Sequence, residues 1–228
     1  MEKTKKLIII GTGETAEIAC EYFTYDSAYE VVGFSVSRQY LKEPEFYGLP
    51  VYEFETLEEK FSPSEYEVYV AISYVKLNRA RANMYNQAKA KGYTCATYVS
   101  SRAFVWRNVQ LGENVFIFEN NVLQHHVKVG NNVILWSGNH VGHRTVIKDH
   151  VYLSSHVVIS GFCEIGEYSF LGVNSTFNDN IKLGKDNIVG SGALIVKNTE
   201  DASLMIGSPA KPAAKTSYEA FNVSAEEI

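Results

Sequence analysis

Over residues 1 to about 100 the apolar positions switch between two spacings. Leu7–Ile10 is a continuous apolar run that ends in Gly11-Thr12-Gly13, after which Ile18, Ala19, Tyr22 and Phe23 recur at helical spacing over Glu14–Phe23. Val31–Val36, a weaker Val51–Phe54 and Glu67–Ile72 read as further strands. Leu77–Lys91 reads as a second helix stopped at Gly92, and Thr94–Val99 as a last strand. Alternation of this kind predicts a small Rossmann-like parallel sheet with helices on its faces. From about residue 101 the helical spacing vanishes. Every sixth residue from Leu111 to Ile195 is apolar, fifteen positions in succession. With 46% apolar residues in the chain, one register would do this by chance about once in 10⁵. Small or β-branched residues such as Val115, Val133, Val157 and Ala193 stand two positions before the apolar one. A six-residue period with one large inward side chain per step predicts a parallel β-helix, three steps and eighteen residues to the coil. Residues 109–198 then make five coils, a rod about 24 Å tall at ~4.8 Å per coil. The general rule for parallel crossovers makes it right-handed. The expected division is an α/β domain over 1–100, a β-helix over 101–198 and a C-terminal tail over 199–228, loose from Asn222 onward.

Composition narrows the partners. The chain has 228 residues, 21% of them charged, and a net charge of -5. No basic excess is available to neutralise nucleic-acid phosphates. No apolar run approaches the ~20 residues of a membrane span. The charged Met1–Lys6 start is followed by an apolar stretch too short for a signal-peptide core. Cys20, Cys95 and Cys163 are scattered and odd in number, as expected of reduced thiols in a cytoplasmic protein. The acidic run Glu53, Glu55, Glu58 and Glu59 reads as a solvated face.

Two constellations carry candidate chemistry. All six histidines (His125, His126, His140, His143, His150 and His156) lie in the β-helix. His125, His143 and Gly161 are eighteen residues apart, so they share one column on successive coils. The other constellation is Gly11-x-Gly13-x-x-Ala16, a turn from strand to helix suited to phosphate. A dinucleotide site adds an acid at the end of the second strand. Here that strand ends Ser35-Val36-Ser37-Arg38, which disfavours NAD and leaves NADP through Arg38 as a remote alternative. Ser73 and Tyr74, after the fourth strand, form the other expected wall.

Three stretches in this order resemble one group of hexapeptide-repeat acyltransferases. They are Ile8-Ile9-Ile10-Gly11-Thr12-Gly13-Glu14-Thr15-Ala16, Ser137-Gly138-Asn139-His140-Val141-Gly142-His143, and Ile206-Gly207-Ser208-Pro209-Ala210-Lys211. The whole chain is similar to the bacterial sugar acyltransferases that N-acetylate nucleotide-linked amino sugars, relatives of the sialic acid O-acetyltransferases. The resemblance implies that the β-helix is left-handed, overriding the general crossover rule. It implies acetyl-CoA as co-substrate, no metal, and a homotrimer with the donor site between neighbouring helices. It places the catalytic base at His143 and the backbone N–H that meets the thioester carbonyl at Gly161. The donor groove then runs by Gly161, Val173 and Ser191 toward Lys211. The nucleotide sugar lies against Gly11, Thr12, Gly13, Ser35, Ser73 and Tyr74. A neutral imidazole, with an ordinary pKa near 6.5, suits removal of a proton from an attacking amine. A preorganised N–H suits the developing oxyanion. Relatives commonly carry an acid directly after the histidine, where this chain has Arg144, so His140 stays a lesser candidate base. Other classes remain open: a sugar O-acetyltransferase, a trimeric β-helical zinc lyase, and a noncatalytic β-solenoid scaffold.

Overall fold

In the computed structural model, which describes residues 2–227, the first apolar run becomes strand β1 (Lys5–Ile10) and the stretch after the glycine turn becomes helix α1 (Glu14–Tyr25). β2 (Tyr29–Val36), β3 (Glu45–Phe46), β4 (Leu49–Glu53) and β5 (Tyr66–Val70) complete a sheet of order β3-β4-β2-β1-β5. All pairings are parallel except the β3–β4 hairpin. The sequence reading missed that hairpin. Tyr47 and Gly48 close it, both with positive φ (50° and 74°), the conformation that two-residue hairpin turns require. A short helix α2 (Leu57–Lys60) precedes β5, and α3 (Arg79–Ala90) follows it. Ile8, Ile10, Phe54, Leu57, Val68, Val70 and Tyr85 form one core face. Each such burial stabilises by about 1.5–3 kcal/mol.

Two expectations for this region are corrected. α3 begins at Arg79 rather than Leu77, because Lys76, Leu77 and Asn78 all take left-handed φ (51°, 48° and 66°). Thr94–Val99 is no full strand. Only Cys95 bridges to Val68, and Tyr98–Val99 is a two-residue stretch.

The chain divides into one compact unit of Met1–Ser73 with Arg81–Tyr98 and a second of Tyr74–Ala80 with Val99–Ile228. The second unit is the left-handed β-helix. Its two-residue strands pair with partners eighteen residues on, as in Val122↔His140↔Val158, Lys128↔Val146 and Ile134↔Tyr152. Fourteen of the fifteen sixth-step residues, from Ile117 to Ile195, are buried in one core that all three faces share, and Leu111 packs against it. Each corner carries one residue with φ near +60°. Asn114, Asn120, His126, Asn132, Arg144, His150, His156, Phe162, Tyr168, Asn174, Asn180 and Asp186 follow at six-residue spacing, and Gly138 and Gly192 fill the intervening steps. Left-handed φ is tolerated by Asn and Gly but costs other residues about 1–2 kcal/mol, so the burial of each inward side chain offsets the strain of its corner.

The three faces of the rod differ. One carries Lys128, Lys148, Glu164 and Lys182, with Lys148 and Glu164 paired at 2.6 Å. A second presents Ile134, Tyr152, Phe170 and Ile188 outward. Tyr74 packs its ring on Tyr152 and Phe170 (5.0 Å each), while Leu77 and Val223 bury against Ile188. The third presents Phe104, Val122, His140 and Val158 outward, and Phe104, Trp106, Val158 and Phe162 are exposed on or beside it.

The end of the chain is not loose. Leu204–Ile206 adds a rung onto Ile188–Val189, and helix α4 (Ser217–Phe221) follows with a Thr216–Glu219 capping box. Val223 is buried, and Glu227 pairs with Lys76 at 2.7 Å. Asp186, almost fully buried, forms an ion pair with Arg79 and accepts from the Tyr218 hydroxyl at 2.6 Å. Burial, and then that bond, push the Tyr218 phenol up to about 12. Ile228 lies outside the described residues.

Candidate active site

The coil period stacks His125, His143, Gly161 and Asp179 at one corner. The imidazoles of His125 and His143 are parallel within 8°, with centroids 5.6 Å apart. The Phe162 ring meets His143 edge-on at 4.9 Å. The His143 backbone N–H donates to Gln124 Oε1 (2.9 Å), which fixes the main chain below the ring. The ring leans over Gly161: a Cβ added there would lie 2.5 Å from His143 Cε1 and 2.8 Å from Nε2. A side chain at 161 would therefore displace the imidazole, a reason for glycine that the sequence reading did not contain. The Gly161 N–H donates to Asp179 Oδ1 at 2.8 Å, so the expected oxyanion donor is engaged within the chain. Asp179 and Gln124 are the residues the sequence reading missed. The column step that leads from His143 to Gly161 reaches Asp179 when taken once more.

The other histidines separate by position. His126, His150 and His156 are corner residues at left-handed φ. His126 bonds Asn108, and His150 Nδ1 lies 2.9 Å from Asn132 Nδ2. The His156 ring abuts Gly138. His140 stands on a flat face between Val122 and Val158, out of the His143 column. Arg144 is an exposed corner residue.

Gly161 does not share a column with the other proposed donor residues of its own chain. Val173 and Ser191 belong to the column through Ser137 and Ser155, at a different corner from His143. Val173 is 41% exposed. Lys211 is exposed on Lys211–Pro212, paired antiparallel with Leu204–Ile206. Among the described residues no group of three or more His, Cys, Asp or Glu is placed to hold a metal ion. No described helix is long and apolar enough to cross a membrane.

In the α/β unit Gly11 has φ +130°, and a Cβ there would fall 2.8 Å from the Ala71 carbonyl oxygen. Its N–H donates to the Ser35 carbonyl (2.8 Å). Glycine is needed where the loop crosses β5. Gly13 has open space around it and precedes the first turn of α1, whose N–H groups and dipole favour an anion. Ser35 is fully buried and its hydroxyl makes no hydrogen bond, so it supports the loop from below rather than lining an open surface. The Ser73 carbonyl accepts from buried Arg81 at 2.9 Å. Tyr74 belongs to the β-helix unit. Acids do stand beside the end of β2, brought there by β4 and the loop beyond it. Glu53 pairs with the Arg38 guanidinium, and Glu55 accepts the Arg38 backbone N–H at 3.0 Å. The arginine holds the Glu53 carboxyl below the usual range. Arg38 is thus committed to Glu53, and Glu58 is likewise paired with Lys91.

Residues 108–143 and 126–161 match the bacterial transferase hexapeptide (six repeats) family. Among solved structures, the acetyltransferase domain of PglB from Neisseria gonorrhoeae, also solved with acetyl coenzyme A, is 26% identical. The match covers 92% of this chain and 100% of that one, with a TM-score of 0.82. PerB from Caulobacter crescentus, solved with CoA and GDP-perosamine, is 26% identical over 92% of this chain and 97% of its own (TM-score 0.82). WeeI from Acinetobacter baumannii, at 19% identity, 92% and 100% coverage and a TM-score of 0.77, shares the fold.

Proposed function

We propose, for a chain whose residues 108–161 match the bacterial transferase hexapeptide model, that it is an acetyl-CoA-dependent N-acetyltransferase acting on a nucleotide-linked amino sugar. The carrying observation is likeness through both units to PglB and PerB, whose structures hold acetyl coenzyme A, CoA and GDP-perosamine, joined to the His143–Gly161 column. His143 accepts a proton from the sugar amine as the nitrogen attacks the thioester carbon. The tetrahedral intermediate collapses with cleavage of the C–S bond, and the His143 imidazolium passes its proton to the departing thiolate, so CoA leaves as the thiol, the imidazole is neutral again and no covalent acyl-enzyme forms. The Gly161 N–H, once released by Asp179, donates to the thioester oxygen. A 4-amino-4,6-dideoxy sugar is the expected acceptor, used in bacterial glycan or lipopolysaccharide synthesis in the cytoplasm, where both co-substrates are made.

The working form is a homotrimer. Support comes from the exposed Phe104, Trp106, Val158 and Phe162 beside the His143 corner, and from donor residues that stand at another corner of the same chain. A neighbouring helix supplies Val173, Ser191 and Lys211 in this reading. Release of CoA thiol from acetyl-CoA with UDP-, dTDP- and GDP-linked amino sugars tests the proposal. No release with any of them rejects it, and an ester rather than an amide product moves it to the O-acetyltransferases. A fully active monomer by sedimentation rejects the trimer.

A further inference from the structure

Gly161 N–H must reach the thioester oxygen, yet Asp179 Oδ1 already accepts it at 2.8 Å. Side-chain caps of this form recur along the rod. Glu113 N–H donates to Asn131 (2.9 Å), Asn131 N–H to Asp149 (2.7 Å), and Lys185 N–H to Asp201 (2.9 Å). At those corners the cap satisfies a backbone donor that the coil leaves over. The Gly161 corner differs in one respect: its capped residue lies under the His143 ring, so the capped donor borders the reacting group. Its cap, Asp179, is exposed, as Asp201 is, and can turn about its side-chain dihedrals without opening the core. One N–H carries one hydrogen. A carboxylate oxygen and a thioester oxygen cannot both take it at full strength, and two acceptors there repel each other.

We infer that Asp179 is an internal competitor of acetyl-CoA. Its carboxylate holds the Gly161 N–H in the free chain and is displaced when the thioester oxygen takes that hydrogen, so Asp179 sets donor affinity. The inference rests on the acetyltransferase reading and on Gly161 as the donor's contact. A cap that is merely structural has the opposite signature. Removing it would loosen the corner and weaken donor binding, and asparagine would restore the parental value.

Calorimetric titration with acetyl-CoA separates the two in the parent, Asp179→Ala, Asp179→Asn and Asp149→Ala, each first shown to be folded by its thermal transition. Asp179→Ala is expected to bind about three- to tenfold more tightly, the scale of one net hydrogen bond. Asp179→Asn should fall between, because an amide oxygen still accepts, as Asn131 does at Glu113, but carries no charge. Asp149→Ala removes the same kind of cap on another column and should bind as the parent does. Unchanged or weaker binding by Asp179→Ala overturns the inference while leaving a parent that binds and turns over as an acetyltransferase. A parent that binds no acetyl-CoA overturns the acetyltransferase reading, and this inference falls with it.

Discussion

The two units solve the same problem of parallel strand pairing in different ways. In the α/β unit each contact is made once. Gly11 crosses Ala71, Phe34 meets Phe46 with centroids 4.9 Å apart, and Tyr98 hydrogen-bonds Asp26 at 2.6 Å. No position there can be inferred from its neighbour. In the β-helix a single rule is repeated: an inward apolar residue, a corner at positive φ, and a partner eighteen residues on. Function uses this regularity as a ruler. Side chains placed at one step of the repeat arrive in one column, as His125, His143, Gly161 and Asp179 do.

The largest expected effect tests that column. His143→Ala should lower turnover by about 10²–10⁴, the usual range for a lost general base, with little change in thermal stability. His140→Ala, on the flat face, is the control. An equal loss there with His143→Ala active would move the base.

Glycine separates the units next. Gly161→Ala meets only the movable His143 ring, so it should cut kcat about tenfold or more while the melting temperature stays near the parental value. Gly11→Ala meets the Ala71 backbone at φ +130° and should destabilise the α/β unit by about 1–3 kcal/mol, seen in urea unfolding. Parental stability of Gly11→Ala would end the contrast.

A smaller effect concerns corner strain. Arg144 is exposed at φ 59°, and asparagine tolerates that region better. Arg144→Asn should gain about 0.5–1 kcal/mol in the same unfolding assay. A loss would mean that the arginine has a partner worth more than its strain.

The smallest concerns the C-terminal segment. Lys76 and Ser224 hold the Glu227 carboxyl down to about 2, below its unfolded value of ~4.3. A depressed carboxylate contributes stability above the unfolded value and loses it as pH falls toward about 2. The protection factors of residues 217–227 against hydrogen exchange, taken relative to the intrinsic rate at each pH, should therefore fall between about pH 4.5 and 2 in the parent. Glu227→Gln should show low protection already at neutral pH and a flatter profile across that window.

Much of the fold was legible because periodicity is local information. The six-residue spacing from Leu111 to Ile195 dictated the inward core, the eighteen-residue coil and the His143–Gly161 stacking. The strand–turn–helix reading of Leu7–Phe23 matches β1 and α1 for the same reason. Only the tertiary structure decided what lies between neighbours distant in sequence or on different steps of the repeat. It tied Asp179 to the Gly161 N–H, set the His143 ring where a Cβ of residue 161 would be, and buried Ser35. It brought Glu53 and Glu55 to Arg38. It also docked Leu77, Val223 and Glu227 onto the rod, where sequence suggested a helix start and a loose tail. The physical reason is that a side chain's facing direction follows from the period of its own segment. Its hydrogen-bond and ion-pair partners depend on which other segments packing brings within 3 Å, and no single-segment pattern encodes that choice.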